Sequence, residues 1–416
     1  MHSAINTTVQ NLRESKQSPV LQASISRFVD WLDRFGETSY DHQSFFASDL
    51  GRKAKALYYR KPLLGKLAVS PMIFCEAFLP STRRFFFKKQ RFPIADAHYA
   101  MGFAFLFKTF GNRAYYERSV HFLQVLEETR SPGLAHHGWG YPFHWETRLG
   151  VIPAGTPMIT TLPYVYEAFR QVYEIDGQSH WREVMKSIAQ HGLLDYQDND
   201  ISATASTCSY YPGGANSHGV LNASAYRAFL LTQAAVDFGD DRYYRAAERN
   251  LNFVLENQNA DGSWFYSIDG QRDFVDHFHT CFVLKALTKI EALTKNPACA
   301  EAIERGVQYY IDNLFDRENM PKPFSRAPRM TVYRNELYDY AESINLATLL
   351  RGRFSFLDHL LEVAPNPQWQ KADGSFRARK LLVGWDNTPM HRWAQSQMFR
   401  SLCFALQQQT ENVRYQ

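Results

Sequence analysis

The sequence predicts a single all-α chain folded as an (α/α)6-like toroid of helical hairpins, with long loops gathered on one face. Two observations lead to this prediction. Tight turns between amphipathic segments recur along the chain, with turn glycines 66 and 62 residues apart. Each hairpin is then joined to the next by a long connection that is rich in Gly, Pro, Trp, Tyr, His and Asp. Such periodicity is typical of repeated helical units.

The tight turns share one pattern. They are Phe110-Gly111-Asn112, Ile175-Asp176-Gly177 and Phe238-Gly239-Asp240, with Lys295-Asn296-Pro297 as a looser fourth copy. Glycine suits the left-handed position that closes a helix, and Asn or Asp can cap the helix that follows. Five hairpins are predicted between about 93 and 363. The last helix, about 389–408, would close the ring against the N-terminal helix near 20–36.

The long connections are predicted to form the functional face. They run near 130–157, 196–219, 258–273, 315–335 and 364–388. If the helices alternate in direction, all of these loops lie at one end of the ring, and long loops of this kind usually carry function. We expect residues 93–416 to form the toroid and residues 1–92 to form a helical segment packed on it, as one structural unit.

Composition limits the class of protein. The 416 residues are 45% hydrophobic, which is ample for a large core, and the net charge is only +4. Five scattered cysteines without a CxxC pair argue against disulfides and a cysteine zinc site. The polar N-terminus does not resemble a signal peptide, and no apolar run approaches the roughly 20 residues of a membrane span. We therefore expect a soluble, cytoplasmic chain, and we predict no cofactor and no metal.

One sequence motif occurs twice in the long loops, and a resemblance to known proteins rests on it. It is Gln258-Asn259-Ala260-Asp261-Gly262-Ser263-Trp264, repeated as Gln370-Lys371-Ala372-Asp373-Gly374-Ser375-Phe376. Helical hairpins with such loops resemble the α/α-toroid proteins: six-hairpin glycosidases, polysaccharide lyases, glucuronyl epimerases and terpene-cyclase-like folds. The chain has no Asp-rich DDxxD motif, which weakens the terpene-cyclase likeness.

A narrower resemblance rests on three segments. Asp261-Gly262-Ser263-Trp264, then Phe274-Val275-Asp276-His277-Phe278-His279-Thr280, and the late Arg392-Trp393-Ala394-Gln395-Ser396-Gln397 are similar to a bacterial family described as polysaccharide biosynthesis protein, VpsJ-like. This resemblance implies a carbohydrate-active role in bacterial surface-polysaccharide metabolism, with an oligo- or polysaccharide as substrate.

The candidate catalytic residues begin inner helices at the loop face. Asp276 and His279 are three residues apart and share one helical face, although Asp276 could equally serve as a helix cap. Asp339 and Glu342 have the same spacing, and a solvated helix start is the alternative for them. Paired carboxylates can supply the acid and the base for cleavage of a glycosidic linkage. His218 could assist, unless Asn216 or Ser217 beside it merely caps the next helix.

Aromatic and charged loop residues are candidates for sugar binding. Indole and phenol rings stack on sugar faces, and Arg pairs with carboxylates or phosphates. The candidates are His136, Trp139, Tyr141, Trp145, Tyr211, Trp264, Arg334, Asp386, Arg392 and Trp393. The alternatives are that the rings pack the loops onto the ring and that Asp386 pairs with Arg392. Thr388 and Pro389 are expected to begin the last helix.

Two other functions stay open, and one segment suggests a partner. A uronic-acid lyase or C5-epimerase would use a His or Tyr base, with Arg334 or Arg392 neutralising the substrate carboxylate. A glycan-binding or scaffold subunit would do no chemistry. Residues 53–91 interleave Lys and Arg with aromatics, which can contact an anionic membrane or a synthesis complex, or simply pack on the ring. We predict a peripheral contact at the inner membrane as one possibility, and no nucleic-acid binding.

Overall fold

The structure is a computed structural model that describes residues 2–414 except 215, 216, 218, 329, 351–353 and 355. Side chains are described between residues 19 and 411 outside these gaps. The candidate His218 and the alternative cap Asn216 therefore lie outside the described residues.

Within the described residues, six helices form an inner ring. They are α6 (Pro93–Phe110), α8 (Leu162–Asp176), α10 (Leu221–Phe238), α12 (His277–Thr294), α14 (Leu337–Leu350) and α16 (Ser396–Arg414). Each packs against the next, and α16 packs against α6, so the ring is closed. One hydrophobic core extends through the ring from Leu21 to Leu406.

A second layer of helices surrounds this ring. It consists of α1 (His2–Phe35), α7 (Arg113–Glu128), α9 (Ser179–Leu194), α11 (Asp241–Glu256), α13 (Pro297–Asn313) and α15 (Leu357–Val363). Helix α1 packs on α16, and the rings of Phe28 and Phe399 stack at 5.2 Å. The chain is thus an all-α toroid of six hairpins, and the predicted closure between the last helix and the N-terminal helix is confirmed.

The tight turns have the predicted geometry. Gly111, Gly177 and Gly239 end their helices with φ of 69°, 66° and 67°, and Lys295 takes the same left-handed position with φ 56°. The side chain of Asn296 accepts a hydrogen bond from the backbone of Ala298 and caps α13. These short connections lie at one end of the ring, so the long connections meet at the other.

Short antiparallel strands order the long connections. They are β1 (Trp145–Thr147) with β2 (Gly150–Ile152), β3 (Asp198–Asp200) with β4 (Ser206–Cys208), β5 (Val275–Asp276) with β6 (Phe324–Arg326), and the set β7 (Tyr333–Glu336), β8 (Arg379–Leu381) and β9 (Trp385–Asp386). The last two pairings join loops that are distant in sequence. They fix the backbone where α12 and α14 begin.

The repeated sequence motif of the loops has the same structure in both copies. In the first copy, Asp261 Oδ1 accepts hydrogen bonds from the backbone N (3.0 Å) and Oγ (2.7 Å) of Ser263. Gln258 Nε2 then donates to the backbone oxygen of Ala302 on α13 at 2.9 Å. In the second copy, Gln370 Nε2 donates to the backbone oxygen of Ser24 on α1 at 2.9 Å. The motif therefore attaches a loop to the next outer helix. This helix is α13 for the first copy and α1 for the second.

Residues between α1 and α6 form a smaller unit beside the ring. It contains α2 (Ser44–Ala47), α3 (Asp49–Arg60), α4 (Pro62–Phe78), a 3-10 turn (Pro80–Thr82) and α5 (Arg83–Phe86). Helices α3 and α4 pair as a hairpin around Ala54, Val69 and Met72. The domain boundary at residues 92 and 93 stays a prediction, and the packing of α1 favours grouping residues 19–35 with the ring.

No single helix of the described chain has the length and apolar composition of a membrane span. Helix α4 together with Pro80–Phe86 meets that test only as a pair bent by 118°.

Candidate functional site

The site lies at the mouth of the ring, which we define as the long-loop end lined by Asp276, His279, Tyr338 and Trp393. Asp276 ends β5 and is the N-cap of α12, where its Oδ1 accepts the backbone N–H of His279 at 2.9 Å. Nδ1 of His279 lies 2.7 Å from Oδ2 of Asp276. The predicted pairing of the two residues is therefore present, and so is the capping role that was its alternative.

His279 sits in an aromatic frame. Its ring contacts Phe278 at 4.4 Å and Tyr266 at 4.7 Å between centroids, and the side chain is 21% exposed. A small recess opens beside it, and Asn222 and Trp264 also line it. Carboxylate, imidazole and aromatic rings therefore meet at one partly open position.

Trp393 forms the other side of the mouth. Its half-buried indole stacks on Tyr338 with centroids 4.4 Å apart and planes 10° from parallel, and its Nε1 donates to the Glu336 carboxylate. The backbone before α16 is distorted, since Ala394 has φ 109°. Strained backbone of this kind persists only where its surroundings impose it, and it is common at functional sites.

The start of the last helix corrects a prediction. A kinked segment at His391–Gln395, in which Trp393 and Ala394 have non-helical backbone angles, precedes α16, which begins at Ser396. Thr388 and Pro389 lie outside the helix, and the backbone N–H of Thr388 donates to Asp386 at 3.0 Å. The predicted helix start at these two residues is wrong, because Asp386 holds the backbone of Thr388 in a loop that follows β9.

A buried group of carboxyls lies beneath the mouth. Asp339 is fully buried, and neither of its carboxyl oxygens has a hydrogen-bond partner among the described residues. Burial, with the nearby carboxylates of Glu336 and Asp276, raises the pKa of Asp339 well above its usual value. An unpartnered buried carboxylate would be very costly, and this cost favours the neutral acid form of Asp339.

Glu342 lies deeper and is part of an ion-pair network. It is fully buried and pairs with Lys285, and Arg400 lies 3.7 Å from its other oxygen. Burial lowers the pKa of Lys285 to about 8 despite this carboxylate. Glu342 therefore holds the centre of the ring together and does not face an open cleft, which corrects the predicted placement.

Sequence reasoning missed the polar side chains that line the ring axis below the mouth. Lys285 Nζ lies 3.2 Å from the hydroxyl of Tyr164, which is 2.6 Å from that of Tyr226. His98 is fully buried, and neither ring nitrogen has a partner within the described part of the chain. Burial, followed by the charges of Arg400 and Lys285, keeps the pKa of His98 well below its usual value. Isolated polar residues inside apolar helical segments were the signal that could have found this group.

Two predicted sugar-stacking residues are core residues. Trp139 is 0% and Trp264 3% exposed, and their indole N–H groups donate to the backbone oxygens of Leu126 (2.7 Å) and Val254 (3.0 Å). Both rings fold back over the end of the preceding outer helix. This burial leaves no ring face of Trp139 open to a sugar, so the prediction of sugar stacking is wrong for that residue. Trp264 also lines the recess beside His279, and its contact with a sugar stays a prediction.

Asp386 and Arg392, which were predicted to contact the substrate, do not form the mutual ion pair that was the alternative. Asp386 is fully buried and pairs with Arg83 of α5 at 2.6 Å. Arg392 binds Asp41 through two hydrogen bonds of 2.9 and 2.6 Å, and its guanidinium lies over the ring of Tyr141. Both charges are satisfied internally, because loops from the N-terminal unit supply partners that spacing along the sequence does not reveal.

The other binding candidates lie on the loop face. Tyr141, Trp145 and Tyr211 are partly exposed, and Arg334 on β7 is exposed. His136 is partly exposed and its Nδ1 lies 3.1 Å from Asp195. Their contact with a ligand stays a prediction. Within the described residues, no group of three His, Cys, Asp or Glu side chains is arranged to hold a metal ion.

Comparisons with known proteins support the fold assignment. No family model and no curated protein matches the sequence. Among solved structures, cellobiose 2-epimerase from Bacillus thermoamylovorans is similar with a TM-score of 0.59 and 8% identity, over 76% of this chain and 87% of that one. A GH76 α-mannanase from Bacteroides thetaiotaomicron gives 0.54 and 8%, over 78% and 88%. A polysaccharide lyase gives 0.51 and 10%, over 77% and 91%. The chain therefore has the α/α-toroid fold of these enzymes.

Proposed function

We propose that this chain is a carbohydrate-active enzyme that works by general acid–base catalysis at the mouth of the ring, with His279 as the base. The observation that carries the proposal is the contact between Nδ1 of His279 and the Asp276 carboxylate at 2.7 Å. A carboxylate in this position keeps the proton on Nδ1 and leaves Nε2 free to accept one. The 21% exposure of His279 would allow a substrate to reach it.

The surroundings of His279 suit a saccharide. The half-buried indole of Trp393, which stacks on the buried Tyr338, is an aromatic group at the mouth that the C–H surface of a sugar ring could contact. Asp339, held as a neutral acid, is the proposed proton donor. Because it is buried, it would act only when a substrate displaces the aromatic side chains above it. The fold is also that of solved structures described as epimerases, a mannanase and a lyase.

The geometry favours abstraction of a proton from carbon, as in a uronic-acid lyase or a C5-epimerase. The group at the opening is an imidazole oriented by a carboxylate, whereas Asp276 is 3% and Asp339 0% exposed. Cleavage of a glycosidic linkage is the second candidate. The raised pKa of Asp339 beside Asp276 supports it, because hydrolysis needs one protonated and one ionised carboxyl.

The resemblance to VpsJ-like sequences supports a role in bacterial surface-polysaccharide metabolism. Such glycans are assembled at membranes, so a position at the inner membrane would fit this role. A glycan-binding or scaffold subunit remains the non-enzymatic form of the proposal.

The decisive experiment uses the whole chain with a panel of neutral and uronic bacterial polysaccharides in heavy water. Products are read by NMR and mass spectrometry. We expect unsaturated ends if the chain is a lyase, because elimination loses the carbon-bound proton to solvent and leaves a double bond. If it is an epimerase, we expect deuterium at the reacting sugar carbon with unchanged chain length. New saturated reducing ends without carbon-bound deuterium would instead favour hydrolysis.

Matched variants assign the chemistry to the mouth. We expect His279→Gln to lower turnover at least about 100-fold while glycan binding is retained, because general-base catalysis contributes about 10²–10⁴-fold. His180→Gln is the control, since His180 is 58% exposed, pairs with Glu127 and is not one of the residues that line the mouth. Binding without any turnover in the wild type would leave only the scaffold role, and normal turnover in His279→Gln would refute the assigned base.

A further inference from the structure

Helix α4 presents an uncovered apolar face to solvent. Leu63, Leu67, Phe74 and Phe78 are 81%, 73%, 56% and 53% exposed. Their spacing of four, seven and four residues places them along one side of the helix. The opposite side of α4 packs on α3, so it does not explain these four side chains. Monomeric proteins rarely expose a contiguous apolar face of this kind unless something binds it.

The same unit concentrates positive charge. Residues 44–91 contain eleven Lys and Arg and two acidic residues, Asp49 and Glu76, whereas the whole chain carries only +4. Glu76 pairs with Arg379 of β8 at 2.7 Å. The exposed cations of this segment are Lys53, Arg60, Lys61, Lys66, Arg84, Lys88 and Lys89. The apolar face of α4 is therefore flanked by cations, without an exposed acidic side chain on α4 itself.

The unit is fixed beside the mouth of the ring. The buried pair of Arg83 and Asp386 joins α5 to β9 at 2.6 Å, and α3 contacts β1. Both strands belong to the long connections that surround the mouth. A surface bound by α4 would thus lie next to the candidate site.

We propose that the α3–α4 hairpin docks on an anionic lipid bilayer. The exposed Leu and Phe side chains would enter the boundary between headgroups and acyl chains, while Lys and Arg contact the lipid phosphates. A second copy of the chain fits less well, since two such surfaces would bring their positive charges together. The chain would lie on the bilayer without crossing it. This proposal does not depend on which reaction the mouth catalyses.

Co-sedimentation with vesicles tests the proposal. The full chain is mixed with vesicles of phosphatidylcholine alone or of phosphatidylcholine with phosphatidylglycerol. We expect binding to the anionic vesicles only, and weaker binding when salt rises from about 0.1 M to about 1 M, because the screening length falls from about 10 Å to about 3 Å. Binding to neither vesicle would overturn the proposal.

Variants distinguish the contribution of the apolar side chains of α4 from that of the neighbouring lysines. Leu67→Asp/Phe74→Asp should lower the partition into anionic vesicles at least tenfold, and Lys61→Glu/Lys66→Glu should lower both the partition and its salt dependence. The control Leu194→Asp/Val236→Asp alters two side chains that are 61% and 58% exposed on other helices, and it should bind as the wild type does. Circular dichroism verifies that each variant is folded.

Two results would refute membrane docking. Equal loss of vesicle binding in the control would show that binding is not specific to α4. A dimer in light scattering that Leu67→Asp/Phe74→Asp converts to a monomer would assign the face to a second copy of the chain.

Discussion

The groups that lie opposite decide the charge state of the buried ionisable side chains under the mouth. The neutral form of Asp339 is favoured because its carboxyl lies in the interior near Glu336 and Asp276, which raises its pKa, and finds no donor among the described residues. Glu342, only three residues further, is equally buried but faces Lys285. Two acidic residues on the same helix thus differ in state, one as a neutral acid and the other in an ion pair. The difference arises because the charge of a buried group depends on which groups lie opposite.

This difference leads to a prediction about stability. Asp339→Asn should change the free energy of unfolding by no more than about 1 kcal/mol, because one neutral group replaces another of nearly equal size. Glu342→Gln should cost about 3 kcal/mol or more, since it leaves the buried Lys285 without its counter-charge. Urea denaturation at pH 7 measures both values. An equal, large loss for the two variants would mean that Asp339 is ionised.

At the scale of elements, the repeated loop motif packs a tight turn against the next outer helix. Gly262 and Gly374 occupy equivalent turns with φ of 92° and 97°. A Cβ at either position would overlap a backbone oxygen of the next outer helix, that of Arg305 or of Arg27. Two separate constraints, the left-handed backbone and the close approach of a helix, therefore require glycine at these positions.

Alanine substitutions separate these two constraints. Gly262→Ala and Gly374→Ala should each lower the free energy of unfolding by about 2–4 kcal/mol, from backbone strain and steric overlap together. Gly133→Ala is the matched control, because Gly133 has φ 73° but a Cβ there would meet no other described residue within 4 Å. It should cost only about 1 kcal/mol. Similar losses at all three positions would refute the role of helix contact.

The whole molecule is held together by contacts between its two ends. Helix α1 packs on α16 and completes the ring. The buried pair of Arg83 and Asp386 joins residues 303 positions apart and fastens the N-terminal unit to the last long connection. Closure of the ring and attachment of the hairpin therefore depend on segments that only meet once the chain has folded.

Removing one partner of this pair should be costly. Arg83→Met should lower the free energy of unfolding by about 3–5 kcal/mol, since it leaves Asp386 charged and buried without a cation. The double variant Arg83→Met/Asp386→Asn should recover a substantial part of this loss, because no uncompensated charge remains. Urea denaturation of the three proteins provides the comparison. If the double variant is no more stable than Arg83→Met, the loss does not come from the stranded charge.

The sequence alone determined the features that depend on neighbouring residues. Turn glycines, the caps that follow them and apolar spacing along each helix predict the hairpins and the side on which the long loops lie. Local spacing also predicted that Asp276 and His279 lie together, since residues three apart on a helix share a face. These features need no knowledge of distant segments.

Only the tertiary structure decided what each loop side chain contacts. Trp139 and Trp264 are as aromatic as Trp393, yet their indole N–H groups bind backbone oxygens in the core while Trp393 lies at the mouth. Asp386 and Arg392 each found a partner in the N-terminal unit, more than 300 residues away. Burial and long-range pairing arise when separate segments pack against one another, and spacing along the chain does not record which segments will meet.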